Sequence, residues 1–204
     1  MCSGSIQNLR LRLKPHQDSR LLPIFQQGVY LKGRAGLPLA VILEEAGFSR
    51  DYLEQKVQTV FLDGSPVDDL DSRIVKGGSV IALSAAMPGL AGAILRKGSP
   101  ISALRSKTSA GMDPDCTEGA MLTLRLKLFN TIAKEMGPRL LHSGIILKSS
   151  DLEDFLLNRR ELVEEAVLEA ELDGSPLSLA NLLGGKAIHS NHVVLQIINF
   201  SPST

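Results

Sequence analysis

Leu62-Asp63-Gly64-Ser65-Pro66 returns later in the same chain as Leu172-Asp173-Gly174-Ser175-Pro176. Each copy follows a short apolar run, Val57 to Leu62 or Ala166 to Leu172, and precedes an apolar residue, Val67 or Leu177. Asp-Gly at such a place signals a hairpin turn, because Gly accepts positive φ and Asp hydrogen-bonds its own turn backbone. The following Pro removes a ladder donor and so suits a strand edge or exit.

Working outward, the flanks repeat in the same order. Leu9-Arg10-Leu11-Arg12-Leu13-Lys14 alternates strictly, as does Leu122-Thr123-Leu124-Arg125-Leu126-Lys127-Leu128-Phe129. Period-two alternation predicts a half-buried strand in both places. Gly28 to Gly33 and Gly144 to Ser149 predict second strands. Leu39, Ile42, Leu43 and Ala46 recur at helical spacing before the stop at Gly47, and Asp151 caps a run whose apolar face is Leu152, Phe155 and Leu156. Gly77-Gly78 and Gly184-Gly185 mark matching turns ahead of the closing strands Val80–Leu83 and Val193–Ile198. The offset between copies drifts from about 116 to 110 residues, as insertions in loops would cause. The reading is an α+β chain with two tandem β-β-α-β-β domains. It divides into a tail (1–7), a first domain (8–92), a basic and apolar segment with a flexible linker (93–121), and a second domain (122–204). A single irregular domain with two similar hairpins is the alternative, and it is weighed against by the recurrence of four elements in the same order, not the turn alone.

Charge bounds the partner class. The 204 residues carry 22 basic and 22 acidic side chains, a balance that argues against a general nucleic-acid binder. Cys2 and Cys116 both fall in tail or loop, with no CxxC, so no disulfide framework is implied and a reducing cytoplasm fits. His189 and His192 have H-x-x-H spacing but no nearby acidic or Cys ligand, so no metal is expected. The N-terminus lacks the regions of a signal peptide. The uncharged run from Ser79 to Leu95 is short and broken by Pro88, Gly89 and Gly92, so no membrane helix is expected.

The repeated unit resembles the ubiquitin-like β-grasp, a mixed sheet curling around one helix. The second copy resembles the small sulfur-carrier proteins, namely the molybdopterin synthase small subunit and the thiamine-pathway carrier. The residues that carry this are Leu124 to Phe129 with Ala133-Lys134-Glu135-Met136-Gly137, the helix Asp151 to Leu157, and Glu171 to Gly174. The likeness covers most of 122–204 and, less clearly, 8–92. It implies a carrier with a free terminal Gly-Gly, whose carboxylate is adenylated and thiolated. This chain ends Phe200-Ser201-Pro202-Ser203-Thr204 instead, and only the internal stretch up to Gly92 comes close. Shared build does not by itself bring shared function.

No nucleophile-elbow, Walker, zincin or dinucleotide-binding pattern is present. Glu44-Glu45, Asp68-Asp69 and Glu164-Glu165 read as solvated surface charge. No cofactor is expected. The segment from Ala85 to Lys107 has no counterpart in the second copy, which makes it the candidate working surface. Met87, Pro88, Gly89, Leu90, Gly92, Ile94 and Leu95 are apolar or glycine, and Arg96 and Lys97 follow, with no acid between Ala85 and Gly111. One reading packs the apolar part under or between the domains. Another makes Pro88 to Leu95 a docking loop for a protein partner, with the cations steering an acidic surface. A phosphate loop would need the absent Gly-Lys-Ser/Thr. Open sheet edges offer a route to homo-oligomers, and Arg10, Arg12, Lys14, Arg125 and Lys127 line the outward strand faces. The expected function is a non-catalytic protein-interaction scaffold. The alternatives are a sulfur-carrier-related protein of molybdopterin or thiamine cofactor biosynthesis, either degenerate or activated by cleavage near Gly92, or a small-molecule or RNA-binding module.

Overall fold

The structure is a computed structural model that describes residues 6–86, 89–100, 119–185 and 187–198, with Leu90 and Ala91 described by their backbone alone. The described elements mix helices and strands, as in an α+β chain. Strand β1 (Gln7–Leu13) leads through a 3-10 turn (Asp18–Arg20) and helix α1 (Ile24–Gln27) into β2 (Val29–Arg34). Helices α2 (Leu39–Glu45) and α3 (Arg50–Gln55) follow, then β3 (Thr59–Leu62), β4 (Ser65–Pro66), β5 (Val80–Ser84) and α4 (Gly89–Leu95). The second half runs β6 (Met121–Leu128), α5 (Asn130–Ser143), β7 (Ile145–Lys148), α6 (Ser149–Asn158) and α7 (Arg160–Ala166). It closes with β8 (Val167–Leu172), β9 (Ser175–Leu177), α8 (Leu179–Leu183) and β10 (His192–Ile198). Element order therefore repeats, with helices between the first two strands that alternation alone had not marked. Helix α5 forms despite Pro138, and its Gly137 makes room for Leu22 and for Phe25 of α1: a Cβ there would lie 2.5 Å from Leu22 Cδ2 and 3.1 Å from Phe25 Cε2.

Two compact units result, and they cut across the repeats. A middle unit comprises Tyr30 to Ala133, and a terminal unit joins the residues up to Val29 to those from Lys134 onward. The first strand of each repeat thus lies in the unit built mainly from the other repeat. The boundary at residues 93–121 read from composition is not where the compact units divide.

The middle unit's sheet has the order β4-β3-β5-β6-β2. Its central pair, β5 and β6, is parallel, with Ile81 opposite Leu126 and Leu83 opposite Leu128. These side chains, with Leu124, Val60 and Leu62, are buried, and α2 covers them with Leu39, Ile42 and Leu43. Gly33 of β2 makes room for that helix, since a Cβ would meet Ile42 Cδ1 at 3.3 Å and Leu124 Cδ1 at 3.2 Å. Ser49 caps α3 by accepting from the Tyr52 N–H.

The terminal unit's sheet has the order β7-β10-β1-β8-β9. Its central pair is also parallel: Leu9 lies opposite Leu195 and Leu11 opposite Ile197. Leu9 and Leu11 are fully buried, and helix α6 contributes Leu152, Phe155 and Leu156 to the same unit's core. The alternation read in β1 holds, with leucines inward, Arg10 exposed and Arg12 half-buried.

Each Asp-Gly turn sits at the same point of its own frame. Asp63 and Asp173 both have positive φ, 50° and 52°, and each donates its N–H to a carbonyl at the start of the adjacent central strand while its carboxylate accepts the N–H of the same residue. For Asp63 that strand is β5, beginning at Val80; for Asp173 it is β1, at Asn8. Position by position, β5 therefore corresponds to β1, β6 to β10 and β3 to β8. Phe61 opposite Ala82 in one unit matches Glu171 opposite Arg10 in the other.

Candidate functional site

The segment singled out for function is a helix and a basic turn held to the middle unit. Arg96 N–H closes helix α4 on Gly92 O at 3.1 Å, and Gly92 is buried. Lys97 N–H donates to Gln58 O at 2.8 Å, and its ammonium donates to Leu53 O at 2.6 Å near the C-terminal end of α3. Cations are favoured at such an end. Half-burial nevertheless pulls the Lys97 pKa below the ordinary lysine value, with Glu54 and Asp68 opposing the shift. Gly98 N–H donates to Asp68 Oδ1 at 2.9 Å. Gly89 and Arg96 are exposed, while Ile94 and Leu95 are half-buried. Met87, Pro88, Arg105 and Lys107 lie outside the described residues, as do Cys116 and most of the linker.

The three acidic pairs have structural partners. Glu44 and Asp71 both contact Arg50, Glu45 contacts Arg34, and Glu164 pairs with Arg160 at 2.9 Å. Asp69 accepts the N–H groups of Asp71 and Ser72, which lower its pKa. His189 N–H donates to Gln7 Oε1. No cluster of metal-ligating side chains occurs among the described residues. No described helix is long and apolar enough to cross a membrane.

A second surface emerges on the outer face of the middle unit's sheet. A groove of about 540 Å³ is lined by Phe61, Gly64, Val80, Ala82, Ser84, Phe129 and Asn130. Phe61, Val80, Ala82 and Phe129 are half-exposed, so the groove is apolar and open to solvent. Asn130, at positive φ, donates from Nδ2 to Ser84 Oγ at 3.0 Å and fixes one wall. Arg125 lies opposite Val80 and Lys127 opposite Ala82 in the ladder, so both cations share this outward face. Thr59, on the same strand face as Phe61 but fully buried, leaves its hydroxyl without a partner among the described residues.

The terminal unit presents a different face at the matched positions. Arg10 lies opposite Glu171, and Arg12 lies opposite Glu169 with its guanidinium 3.0 Å from the carboxylate. Sequence reading had marked Arg125 and Lys127 as outward but missed Phe61 and Phe129. Aligning the residues just before the two Asp-Gly turns, Phe61 against Glu171, is the signal that finds them.

No family model, curated protein or solved structure matches this chain.

Proposed function

We propose that this is a non-catalytic protein-interaction scaffold built from two β-grasp repeats that exchange their first strands. In each unit, five strands ordered around a parallel central pair and a helix with a buried apolar face support the β-grasp reading. The observation that carries the function is the difference between matched faces. The terminal unit carries the Arg12–Glu169 ion pair on its outer face and sets Arg10 opposite Glu171, whereas the middle unit leaves an apolar groove open at the same rows. Apolar surface kept exposed on a frame that has a charged solution available fits a docking surface. Helix α4 and Lys97, beside the same unit's β3, act on this reading as a border of that surface.

Affinity capture from native lysate tests it, comparing the intact chain with a variant carrying Phe61→Glu and Ala82→Arg, which copies the terminal unit's row of Glu171 opposite Arg10. Circular dichroism checks that both fold. A stoichiometric partner held by the intact chain and lost from the variant is expected. Capture that is equal for both, or an isolated species ending at Gly92 with a thiocarboxylate, would overturn the scaffold reading.

A further inference from the structure

One end of the middle unit's outer face is closed, although its own strands do not close it. Thr59 and Phe61 alternate onto that face from β3, and Val80, Ala82 and Ser84 do so from β5. Phe61, Val80 and Ala82 are half-exposed there, yet Thr59 is fully buried and Ser84 keeps 5% of its surface. Thr59 and Ser84 stand opposite each other in the ladder, so a whole cross-strand row is covered from outside the sheet. Asn130 meets Ser84 Oγ at 3.0 Å from the end of β6, but Thr59 lies on the far strand and needs another cover. That cover fits imperfectly. The Thr59 hydroxyl has no partner among the described residues, and neither has the buried side-chain oxygen of Gln58 beside it. Buried polar atoms without partners penalise the closed arrangement, and water satisfies both on opening.

The chain leaves β5 at Ser84, forms helix α4, and regains β3 where Lys97 N–H donates to Gln58 O at 2.8 Å. Its path therefore runs from one strand of the covered row to the other. Two further bonds hold the far end, Lys97 Nζ to Leu53 O at 2.6 Å and Gly98 N–H to Asp68 Oδ1 at 2.9 Å. Little apolar packing backs them, since Ala93 of α4 is exposed and Ile94 and Leu95 are only half-buried. We infer that α4 is a displaceable strap over the Thr59–Ser84 row, latched at Lys97 and Gly98, which opens while the sheet beneath stays folded. Elements with few buried contacts open in this local way. Ser84 also lines the apolar groove, so opening lengthens that groove by one row. The strap's role as a gate on docking rests on the interaction reading above, in which a longer apolar segment of the partner displaces it. The opening itself does not depend on that reading.

The test is N-ethylmaleimide labelling of the full chain, followed by mass spectrometry, with Cys2→Ser and Cys116→Ser as background and one reporter cysteine at a time. Thr59→Cys and Ser84→Cys report the covered row. Val60→Cys, fully buried on the opposite face of β3, reports unfolding of the sheet. Each rate is divided by that of the same variant in denaturant. Under native conditions both row reporters should label at least about tenfold faster than Val60→Cys. Adding Asp68→Ala, which removes the acceptor of the Gly98 N–H, should quicken the row reporters about tenfold and leave Val60→Cys unchanged. Row reporters no faster than Val60→Cys would overturn the inference and leave the scaffold reading intact. Fast labelling that ignores Asp68→Ala would overturn α4 as the cover. If lysate capture proves indifferent to Phe61 and Ala82 while the row still opens through Asp68, the interaction reading fails and the strap stands.

Discussion

Asp173 accepts the main-chain N–H of Asn8 at 2.8 Å, although 165 residues separate them. Asp63 does the same for Val80 at 2.7 Å across 17 residues. The reciprocal main-chain bonds, Asp173 N–H to Asn8 O and Asp63 N–H to Val80 O, are both 2.9 Å. One turn chemistry thus fastens a neighbouring strand in each unit, with a local strand in one case and the chain's first strand in the other.

Asp173 has its pKa lowered, first by the Asn8 N–H and then by the Gln7 side chain. Its native contacts favour the carboxylate, so its stabilising contribution is present above the ordinary Asp value of about 3.9 and fades as pH falls through the lowered folded value. Asp173→Asn keeps a residue that tolerates positive φ and an acceptor oxygen. The variant should melt below the parent near neutral pH, with the gap closing in strong acid. Melting curves from pH 7 to pH 2 measure this. A gap independent of pH would mean that the charge plays no part.

Leu11 is fully buried between β10 and β8. Leu11→Ala should cost about 2–5 kcal/mol, the range for emptying a leucine site in a packed core. Hydrogen exchange locates the damage. Protection should fall first in β8 and β10, while β3 and β5 keep theirs. Loss in β3 and β5 first would place β1 with its own repeat and refute the exchange.

Thr59 is fully buried and its hydroxyl has no partner among the described residues. An orphaned buried polar group costs about 1–3 kcal/mol, and Val has nearly the same shape and suits a strand. Thr59→Val should raise stability to chemical denaturation by about 1 kcal/mol. A loss of stability would reveal a partner for that hydroxyl.

Lys97 holds the Leu53 carbonyl at 2.6 Å while burial lowers its pKa. The unfolded chain then binds this proton more firmly than the folded one. Stability should rise as pH climbs from the lowered folded value toward the ordinary lysine value near 10.4. In Lys97→Gln that rise should disappear. Denaturation midpoints at pH 8, 9 and 10 distinguish the two, and parallel profiles would contradict the assignment.

Much of the secondary structure was legible. Strict alternation gave β1 and β6, the Asp-Gly pairs gave both hairpins, and apolar spacing gave α2 and α6. Helix α5 was hidden because Pro138 and Gly137 argue against a helix locally, and packing of Leu22 and Phe25 against Gly137 overrides them. The apolar groove escaped notice because Phe61 and Phe129 sit on different strands, and no window of sequence brings them together.

By itself the sequence determined the repeated turn, the strands and helices marked by alternation and apolar spacing, and the inward or outward sense of their residues, because these follow from local periodicity and turn chemistry. Strand partnership was decided by the tertiary structure alone. Leu9-Arg10-Leu11 and Leu124-Arg125-Leu126 present the same alternating faces, so either strand satisfies either sheet's inward leucine pattern. The choice between them rests on long-range pairing, Leu11 with Ile197 and Leu126 with Ile81, which no local pattern encodes.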